Sequence, residues 1–223
     1  MSMKRFTTFL AATAFLALMG ALMVLIAGTA DLPSVWLYLA IRELFTIVSV
    51  LAMSEEVARE RLKPGPGARP EPLYNTGATI AWIAHIVIVS LDLGRFGWSY
   101  PFPLAVQVIG VIMMIAAQAM VIWALRHNEY LSARIRIQGD RGHHVADTGP
   151  YAIIRHPNYA AAFLIGLSSG LVFASWPSVL PMLVYDALLV YRTHDEEKVL
   201  FAELEGYPEY AARVRYRFLP GVW

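Results

Sequence analysis

Two short polar segments carry most of the side chains that could do chemistry. The first, GDRGHHVADTGPYAIIRHPNY, contains an Arg-His-Pro triplet, and the second, YRTHDEE, ends in two adjacent glutamates. Together they supply guanidinium, imidazole, carboxylate and phenol groups, which can bind charged ligands. The sequence has no cysteine and no HExxH, GxSxG, P-loop or GxGxxG motif. It therefore offers no thiol nucleophile and no recognisable metal-binding or phosphate-binding motif.

These polar segments border long apolar blocks. Hydrophobic residues make up 57% of the 223 residues and charged residues only 16%, against about 25% charged residues in a typical soluble domain. Because the charges cluster between long apolar runs, the pattern predicts an all-α integral membrane protein surrounded by membrane lipids. The net charge of +1 gives no indication of nucleic-acid binding.

The apolar blocks predict about six transmembrane helices. The first block is longer than the roughly 7–15 apolar residues of a signal peptide, so we expect it to be retained as a span. Residues 1–126 are predicted to form a bundle of about four spans, and residues 127–223 a catalytic region with a helical hairpin at 159–192 and a polar tail. The predicted spans are 6–28, 34–53, 77–94, 103–125, 159–175 and 177–192.

The distribution of basic residues predicts how the chain crosses the membrane. With the N-terminus in the cytoplasm, 16 of the 18 lysines and arginines fall on the cytoplasmic side, in agreement with the positive-inside rule. Arg95 falls on the opposite side, and Arg42 lies inside a span. Both termini, both large polar loops and the candidate active site are therefore predicted to be cytoplasmic.

Only Ala174–Pro177 separates the last two predicted spans, which indicates a tight helical hairpin. Such a hairpin brings the Arg-His-Pro segment at its entrance close to Arg192 at its exit. Pro150 and Pro157 should keep the entrance from forming one continuous helix, because proline lacks an amide proton and disfavours helical geometry in the residue before it. Irregular backbone beside lipid has to face protein or a polar cavity, so this entrance is a candidate site.

Each candidate residue also fits a structural role when it is considered alone. Arginines and tyrosines at the membrane surface commonly anchor a protein among lipid headgroups. The residues that fit this role are Arg155, Arg192, Tyr151 and Tyr159. Glu196 and Glu197 equally fit a solvated helix face, and Thr193 with Glu196 fits the S/T-x-x-E capping box. Only the combination of both segments favours a binding site.

The combined pattern resembles the isoprenylcysteine carboxyl methyltransferase family of integral membrane enzymes. Members of this family share a motif of the type HxLVxxGxYxxxRHPxYxG, followed after a hairpin by RxxxEExxL. The resemblance covers roughly residues 139–220, whereas the first four predicted spans match only in being apolar. The positions in register are His143, Gly149, Tyr151, Arg155, His156, Pro157 and Tyr159 in the first motif, and Arg192, Glu196, Glu197 and Leu200 in the second.

The sequence departs from the family pattern at a few positions. Val145-Ala146 stands where the family has Leu-Val, and Ala161 stands where it has the final glycine. The segment LEGYPEY at 204–210 replaces the usual FGxxY. Because the tail differs from the family pattern, the way in which the family covers its cofactor, and its choice of substrate, cannot be transferred to this chain from the motifs alone.

The resemblance implies S-adenosylmethionine as methyl donor and a lipophilic or prenylated acceptor that enters from the bilayer. The residues to which it assigns donor binding are His143, Gly149, Tyr151, Arg155, His156, Pro157, Tyr159 and Glu197. Arg192 is a catalytic candidate because a guanidinium can hold a carboxylate bidentately. Glu196 is the second, since a carboxylate can meet the donor's ammonium group or ribose hydroxyls. No general base is needed for a carboxylate acceptor, which is already ionised near neutral pH.

Other functions also fit parts of the pattern. These are methylation of a phospholipid, amine or thiol, reduction by an NADPH-dependent membrane enzyme of related fold, and non-catalytic lipid binding. Carboxyl O-methylation of an isoprenylcysteine-like substrate fits best, because both motifs occur at the correct spacing. Arg42 and Glu43 lie inside a span and are functional suspects by default, with a structural pair as the alternative. The sequence leaves the acceptor and the oligomeric state open.

Overall fold

Apolar runs bounded by serine, proline and glycine form the long helices of this protein, seen in a computed structural model that describes residues 2–223. The Ser2 hydroxyl caps the first helix by accepting a hydrogen bond from the Arg5 amide, and Gly28 ends it in the left-handed conformation, with φ of 75°. The helices of the described residues are α1 (Met3–Ala27), α2 (Pro33–Ala52), α3 (Glu55–Leu62), α4 (Pro72–Leu91), α5 (Leu104–His127), α6 (Pro157–Val172), α7 (Val179–Glu203) and α8 (Tyr207–Arg213).

Four of these helices are long and apolar enough to cross a membrane, namely α1, α2, α5, and α4 with a π-helical turn that extends it to Phe96. They confirm the first four predicted spans. The third begins at Pro72 rather than at residue 77. Proline is favoured in the first helical turn, where its missing amide proton is not needed. The protein is therefore an all-helical, multi-pass membrane protein.

The two remaining predicted spans differ from the observed helices. Helix α6 has 16 residues, or about 24 Å at 1.5 Å per residue, which is shorter than a hydrocarbon core of about 30 Å. Helix α7 continues beyond residue 192, the predicted end of the sixth membrane segment, to Glu203. It continues because no proline or glycine follows Arg192 before Gly206 to stop the helix. The count of six spans stays a prediction.

The capping-box alternative for Thr193 and Glu196 is wrong. Both residues lie in the interior of α7, and Thr193 Oγ1 donates a hydrogen bond to the Leu189 carbonyl one turn earlier, at 2.8 Å. The two glutamates of the second segment therefore lie on the same continuous helix as Arg192. Glu196 stands four positions after Arg192, which places the two on the same face of α7.

The long helices contact one another in the cyclic order α1, α2, α5, α6, α7, α4 and back to α1. Their shared core includes Tyr38 and Phe173, whose rings stack at 4.3 Å, and the fully buried side chains of Met23 and Met114. Large apolar side chains such as Phe15 remain exposed on the outside of the bundle. An apolar exterior is what lipid tails require of a protein surface.

Residues 173–178 join α6 to α7, and the two helices pack against each other. Glycine is required at two points of this contact. A Cβ atom on Gly166 would lie 2.6 Å from Asp186 Oδ1, and one on Gly170 would lie 2.7 Å from Val179 Cγ2. Close packing of this pair brings the beginning of α6 next to the second half of α7, where the two polar segments meet.

Candidate functional site

The C-terminal tail holds the Arg-His-Pro segment in an irregular shape. After a 3-10 turn at Gly149–Ala152, the chain stays non-helical until Pro157 begins α6. This confirms the prediction that the prolines interrupt the helix. The Arg155 amide donates to the Tyr216 carbonyl at 2.9 Å, and the next residues along both segments pair in the same way at 3.0 Å. The tail therefore satisfies the backbone groups that a helix would otherwise have paired.

Glu197 joins both polar segments to the tail. Its Oε1 accepts a hydrogen bond from Arg155 Nε at 2.6 Å and lies 3.2 Å from His156 Nε2. Its Oε2 accepts a hydrogen bond from Arg217 Nε at 2.6 Å, and the Tyr207 hydroxyl donates to Oε1 at 3.4 Å. The side chain is only 4% exposed. A buried carboxylate with these partners ties α7, the Arg-His-Pro segment and the tail into one unit.

The same contacts set the ionisation of Glu197. Burial by itself raises the pKa of this carboxyl, but hydrogen bonds from His156, Arg155 and Arg217 outweigh burial and hold the pKa well below its usual value. Because the folded-state pKa is depressed, the ionised carboxylate stabilises the fold above its unfolded pKa. This contribution is lost as the pH falls toward the folded-state pKa.

A cleft lies beside this ionic cluster, between the 128–146 loop, the Arg-His-Pro segment, α7 and α8. Its volume is about 100 Å³, below the roughly 300–1,000 Å³ of typical ligand sites. A ligand of that size therefore has to extend into the solvent-open mouth or displace side chains. Six of the predicted site residues line the cleft, and they are His143, Tyr151, Arg155, His156, Tyr159 and Glu196.

His143 contributes a neutral imidazole to the cleft. Its Nδ1 accepts a hydrogen bond from the Gln138 amide at 3.1 Å, and its ring packs on Tyr130 with centroids 4.4 Å apart. Partial burial, together with the nearby His144 and Arg141, lowers the pKa of His143 to about 4. With Nδ1 acting as acceptor, the proton of the neutral ring lies on Nε2, which leaves Nε2 as a donor toward a ligand.

We expect His143→Asn to reduce the loss of stability in acid. The pKa of histidine is about 6.5 in an unfolded chain and about 4 for His143 in the folded protein. Between these values the unfolded state binds more protons, so stability falls as the pH drops from about 6.5 to about 4. Asparagine does not titrate and can still accept from the Gln138 amide. Melting temperatures at pH 7 and pH 4.5 should differ less in the variant than in wild type, and equal differences would contradict the buried neutral ring.

Aromatic and anionic groups form the rest of the inner wall. The rings of His156 and Tyr159 lie nearly parallel, with centroids 5.7 Å apart and an angle of 8°. The Tyr151 hydroxyl is buried and has no hydrogen-bond partner within residues 2–223, which is uncommon for a buried polar group. Glu196 is 26% exposed, with its Oε2 3.8 Å from His156 Nδ1. The wall therefore offers aromatic faces, a hydroxyl group and an anionic oxygen to a ligand.

Three residues predicted to bind the cofactor do not line the cleft, namely Gly149, Pro157 and Glu197. Gly149 has φ of 58°, and a Cβ atom there would lie 2.5 Å from the His127 ring. Glycine is therefore required at this turn. Pro157 begins α6, and Glu197 supports the cleft from behind. Direct contact between these three residues and a donor stays a prediction.

Arg192 also lies outside the cleft, and a carboxylate of the protein already pairs with it. Its Nε and Nη2 donate to the two carboxylate oxygens of Glu71 at 2.6 and 3.2 Å, and Nη2 donates to the Ala133 carbonyl at 3.0 Å. The guanidinium lies 4.6 Å from the ring centroid of Tyr74 and 5.3 Å from that of Tyr159. The prediction that Arg192 holds a substrate carboxylate now requires that carboxylate to displace Glu71.

Sequence reasoning missed several residues that build the site. Glu71 follows a proline-rich and glycine-rich loop, and such charges are usually solvated. Glu60 on α3 is 3% exposed and pairs with Arg136 at 2.8 Å, which fastens α3 to the 128–146 loop. Tyr207 and Tyr210 line the cleft. They belong to LEGYPEY, the segment where the sequence departs from the family pattern, and that departure was the available signal.

The fold and the cleft define an all-helical membrane protein that has a polar, aromatic ligand cleft among the loops at one end of its bundle. The model of the isoprenylcysteine carboxyl methyltransferase (ICMT) family matches residues 109–202, a range that contains all ten predicted site residues. The match confirms the resemblance to that family over this part of the chain. No curated protein matches the chain.

Among solved structures, the chain is similar to a eukaryotic intramembrane Ras methyltransferase, isoprenylcysteine carboxyl methyltransferase, solved without a monobody. The TM-score is 0.53 at 18% sequence identity, over 94% of this chain and 75% of that chain. At this identity the likeness shows a shared fold, and it extends to the first four long helices, which the sequence motifs do not cover. The family that the model describes is one of carboxyl methyltransferases.

Proposed function

We propose that this protein transfers a methyl group from S-adenosylmethionine to a lipophilic acceptor at the cytoplasmic membrane face. The reaction we propose is carboxyl O-methylation of an isoprenylcysteine-like substrate. The observation that carries the proposal is the single cleft lined by six of the predicted site residues, which come from both family motifs. These motifs are separated in sequence by α6 and the first half of α7.

The chemistry of the cleft suits a sulfonium donor. The rings of Tyr130, Tyr151 and Tyr159 can attract a positive sulfonium by cation–π interactions of roughly 0.5–2 kcal/mol. Glu196 offers an anionic oxygen to an ammonium group or to ribose hydroxyls. Arg155 uses Nε and Nη1 for the hydrogen bonds to Glu197 and the tail, which leaves Nη2 for a donor carboxylate. The buried Tyr151 hydroxyl supplies a further hydrogen bond.

The task of the protein in such a reaction is alignment. The bound donor supplies an electrophilic methyl group, and an ionised carboxylate attacks it without a general base. The residues of the cleft have to align these reactants and exclude water from between them. Glu197 holds His156 in place, His156 stacks on Tyr159, and the cleft wall therefore has a defined shape before any ligand binds.

We also propose that the cleft faces the cytoplasm. The two large polar loops and the C-terminal tail together carry 14 of the 18 basic residues of the chain, and cytoplasmic loops are enriched in lysine and arginine. In this arrangement α6 and the first half of α7 form the hairpin that completes six spans. The donor then reaches the cleft from water, and the acceptor reaches it from the bilayer.

Binding of S-adenosylmethionine and S-adenosylhomocysteine to the detergent-purified protein tests the proposal. We expect calorimetry to give dissociation constants on the order of micromolar. Glu196→Gln should weaken binding about tenfold, since a charge-assisted hydrogen bond contributes about 1.5 kcal/mol or more, while the melting temperature stays close to that of wild type. NADPH, the ligand of the reductase alternative, should not bind.

Glu205→Gln is the matched control, because Glu205 is exposed and does not line the cleft. It should bind both ligands like wild type. Failure of a folded wild-type sample to bind either compound would overturn the proposed function. An equal loss of affinity in both variants would remove Glu196 from the donor site.

A further inference from the structure

A second cavity lies inside the helix bundle, next to the cleft. Residues of α1, α2, α5 and α6 line most of it, and its volume is about 300 Å³. Asn158 lines both the cavity and the cleft, so the two are neighbours. The wall of the cavity carries several polar side chains, which is unusual between the helices of a membrane bundle. Among them are Arg42, Thr46, Ser49 and Gln118.

Arg42 brings a positive charge to this cavity, and no carboxylate among residues 2–223 forms an ion pair with it. Its Nε is buried without a hydrogen-bond partner in residues 2–223, and the ion pairs of those residues do not include it. The adjacent Glu43 accepts a hydrogen bond from Thr13 Oγ1 at 2.8 Å instead. Charges inside membrane bundles are costly and normally have partners, so an anion from a ligand is the partner that this arrangement suits.

The rest of the cavity wall suits the chain that carries such an anion. Phe45, Val50, Val121 and Ile165 give it apolar surface. Along α6 it extends from Asn158 to Ile165, about 10 Å at 1.5 Å per residue. Arg61, which is exposed at the α3 side, adds a second positive charge. A long apolar chain with a single anionic head matches this combination of surfaces.

We propose that this cavity binds the carboxylate head of the lipophilic methyl acceptor, with Arg42 as the residue that pairs with it. The inference rests on the proposed function, because it takes the acceptor to be a lipid-like carboxylate. Arg192 was the sequence-based candidate for this role, but Glu71 already occupies its guanidinium. Within the described residues 2–223, Arg42 has no such partner, and its cavity adjoins the proposed donor cleft through Asn158.

The test compares two probes that differ only in charge. One is an S-farnesyl cysteine with an acetylated amine and a free carboxylate, and the other is its carboxamide. Binding is measured to the full chain in nanodiscs of phosphatidylcholine. We expect wild type to bind the carboxylate at least about tenfold more tightly than the amide, because charge-assisted hydrogen bonds are lost with the amide. Arg42→Gln should remove this preference and leave the affinities for the amide and for S-adenosylhomocysteine unchanged.

Arg95→Gln is the matched control. Arg95 donates to the Ile26 carbonyl at 2.7 Å and lies outside the cavity, so its loss should leave the carboxylate preference intact. A preference that survives in Arg42→Gln would overturn the inference. A loss of affinity for both probes in that variant would also overturn it, since this would show a structural role.

A phospholipid headgroup is the other source of an anion on an apolar chain, and phosphatidylglycerol in the nanodiscs distinguishes it. If this lipid displaces the carboxylate probe from wild type, the cavity binds lipid phosphates and the inference is overturned. If it does not, the acceptor assignment is supported. A failure of the proposed function would give a different result. S-adenosylhomocysteine would then not bind, whereas binding of the carboxylate probe would still depend on Arg42.

Discussion

Glu197→Gln is expected to lower the melting temperature of the protein strongly, whereas Glu196→Gln, one position earlier, is not. Glu197 is 4% exposed and pairs with Arg155 and Arg217 at 2.6 Å each. Removal of its charge leaves two guanidinium groups without their anion. Breaking a buried pair costs about 3–5 kcal/mol, which corresponds to a drop of roughly 10 °C for a chain of this size.

The two glutamates form a matched pair for this experiment. The substitution is identical and the residues are neighbours on α7, but Glu196 is 26% exposed and faces the cleft. Glu196→Gln should change stability by no more than about 0.5 kcal/mol and instead weaken donor binding. Thermal unfolding of both variants, followed by circular dichroism in detergent, is the measurement. Equal melting temperatures would show that Glu197 does not hold the tail to the Arg-His-Pro segment.

The second large effect is expected at the pair of Arg192 and Glu71, whose side chains are 9% and 8% exposed. Arg192→Gln or Glu71→Gln alone leaves a buried charge unpaired and should cost about 3–5 kcal/mol. The double variant has no unpaired charge, so it should lose less stability than the sum of the single variants. A coupling energy of up to about 3 kcal/mol is expected in the double-mutant cycle. Additive losses would contradict a direct pair.

Arg192 could act as a positioning residue or could hold the acceptor carboxylate. The activities of the two single variants distinguish these roles. As a positioning residue, Arg192 holds the 63–71 loop through Glu71 and contacts the ring of Tyr159. Both single variants should then lower the rate of methyl transfer to a similar extent, and their KM values for the acceptor should be nearly the same. If Arg192 instead holds the acceptor carboxylate, Arg192→Gln alone should raise that KM by about tenfold or more.

Features that depend on local composition and spacing could be predicted from the sequence. Runs of apolar residues predicted the first four long helices, because the bilayer core sets the length of a span. The two motifs predicted which residues meet, and six of the ten predicted site residues do line one cleft. The shift of α4 to Pro72 and the continuation of α7 to Glu203 show the limit of this reasoning. Hydropathy marks where a membrane segment lies, whereas capping and helix-stopping residues decide where the helix begins and ends.

The roles of the charged residues could not be predicted in the same way. Glu196 and Glu197 are adjacent and chemically identical, yet one faces the cleft and the other is buried among Arg155, His156 and Arg217. Their positions on the helix point them in directions about 100° apart, and what each one meets depends on elements far away in the sequence.

Hydrophobicity and spacing along the chain were therefore enough to predict the class of protein, the four long spans and the family motifs. The pairing of Glu71 with Arg192, and the position of Arg42 at a cavity beside the cleft, depend instead on how the helices and loops pack together. The reason is physical: a buried charge is stabilised by whatever lies opposite it in space, and folding determines that partner by packing together segments that are distant in the chain.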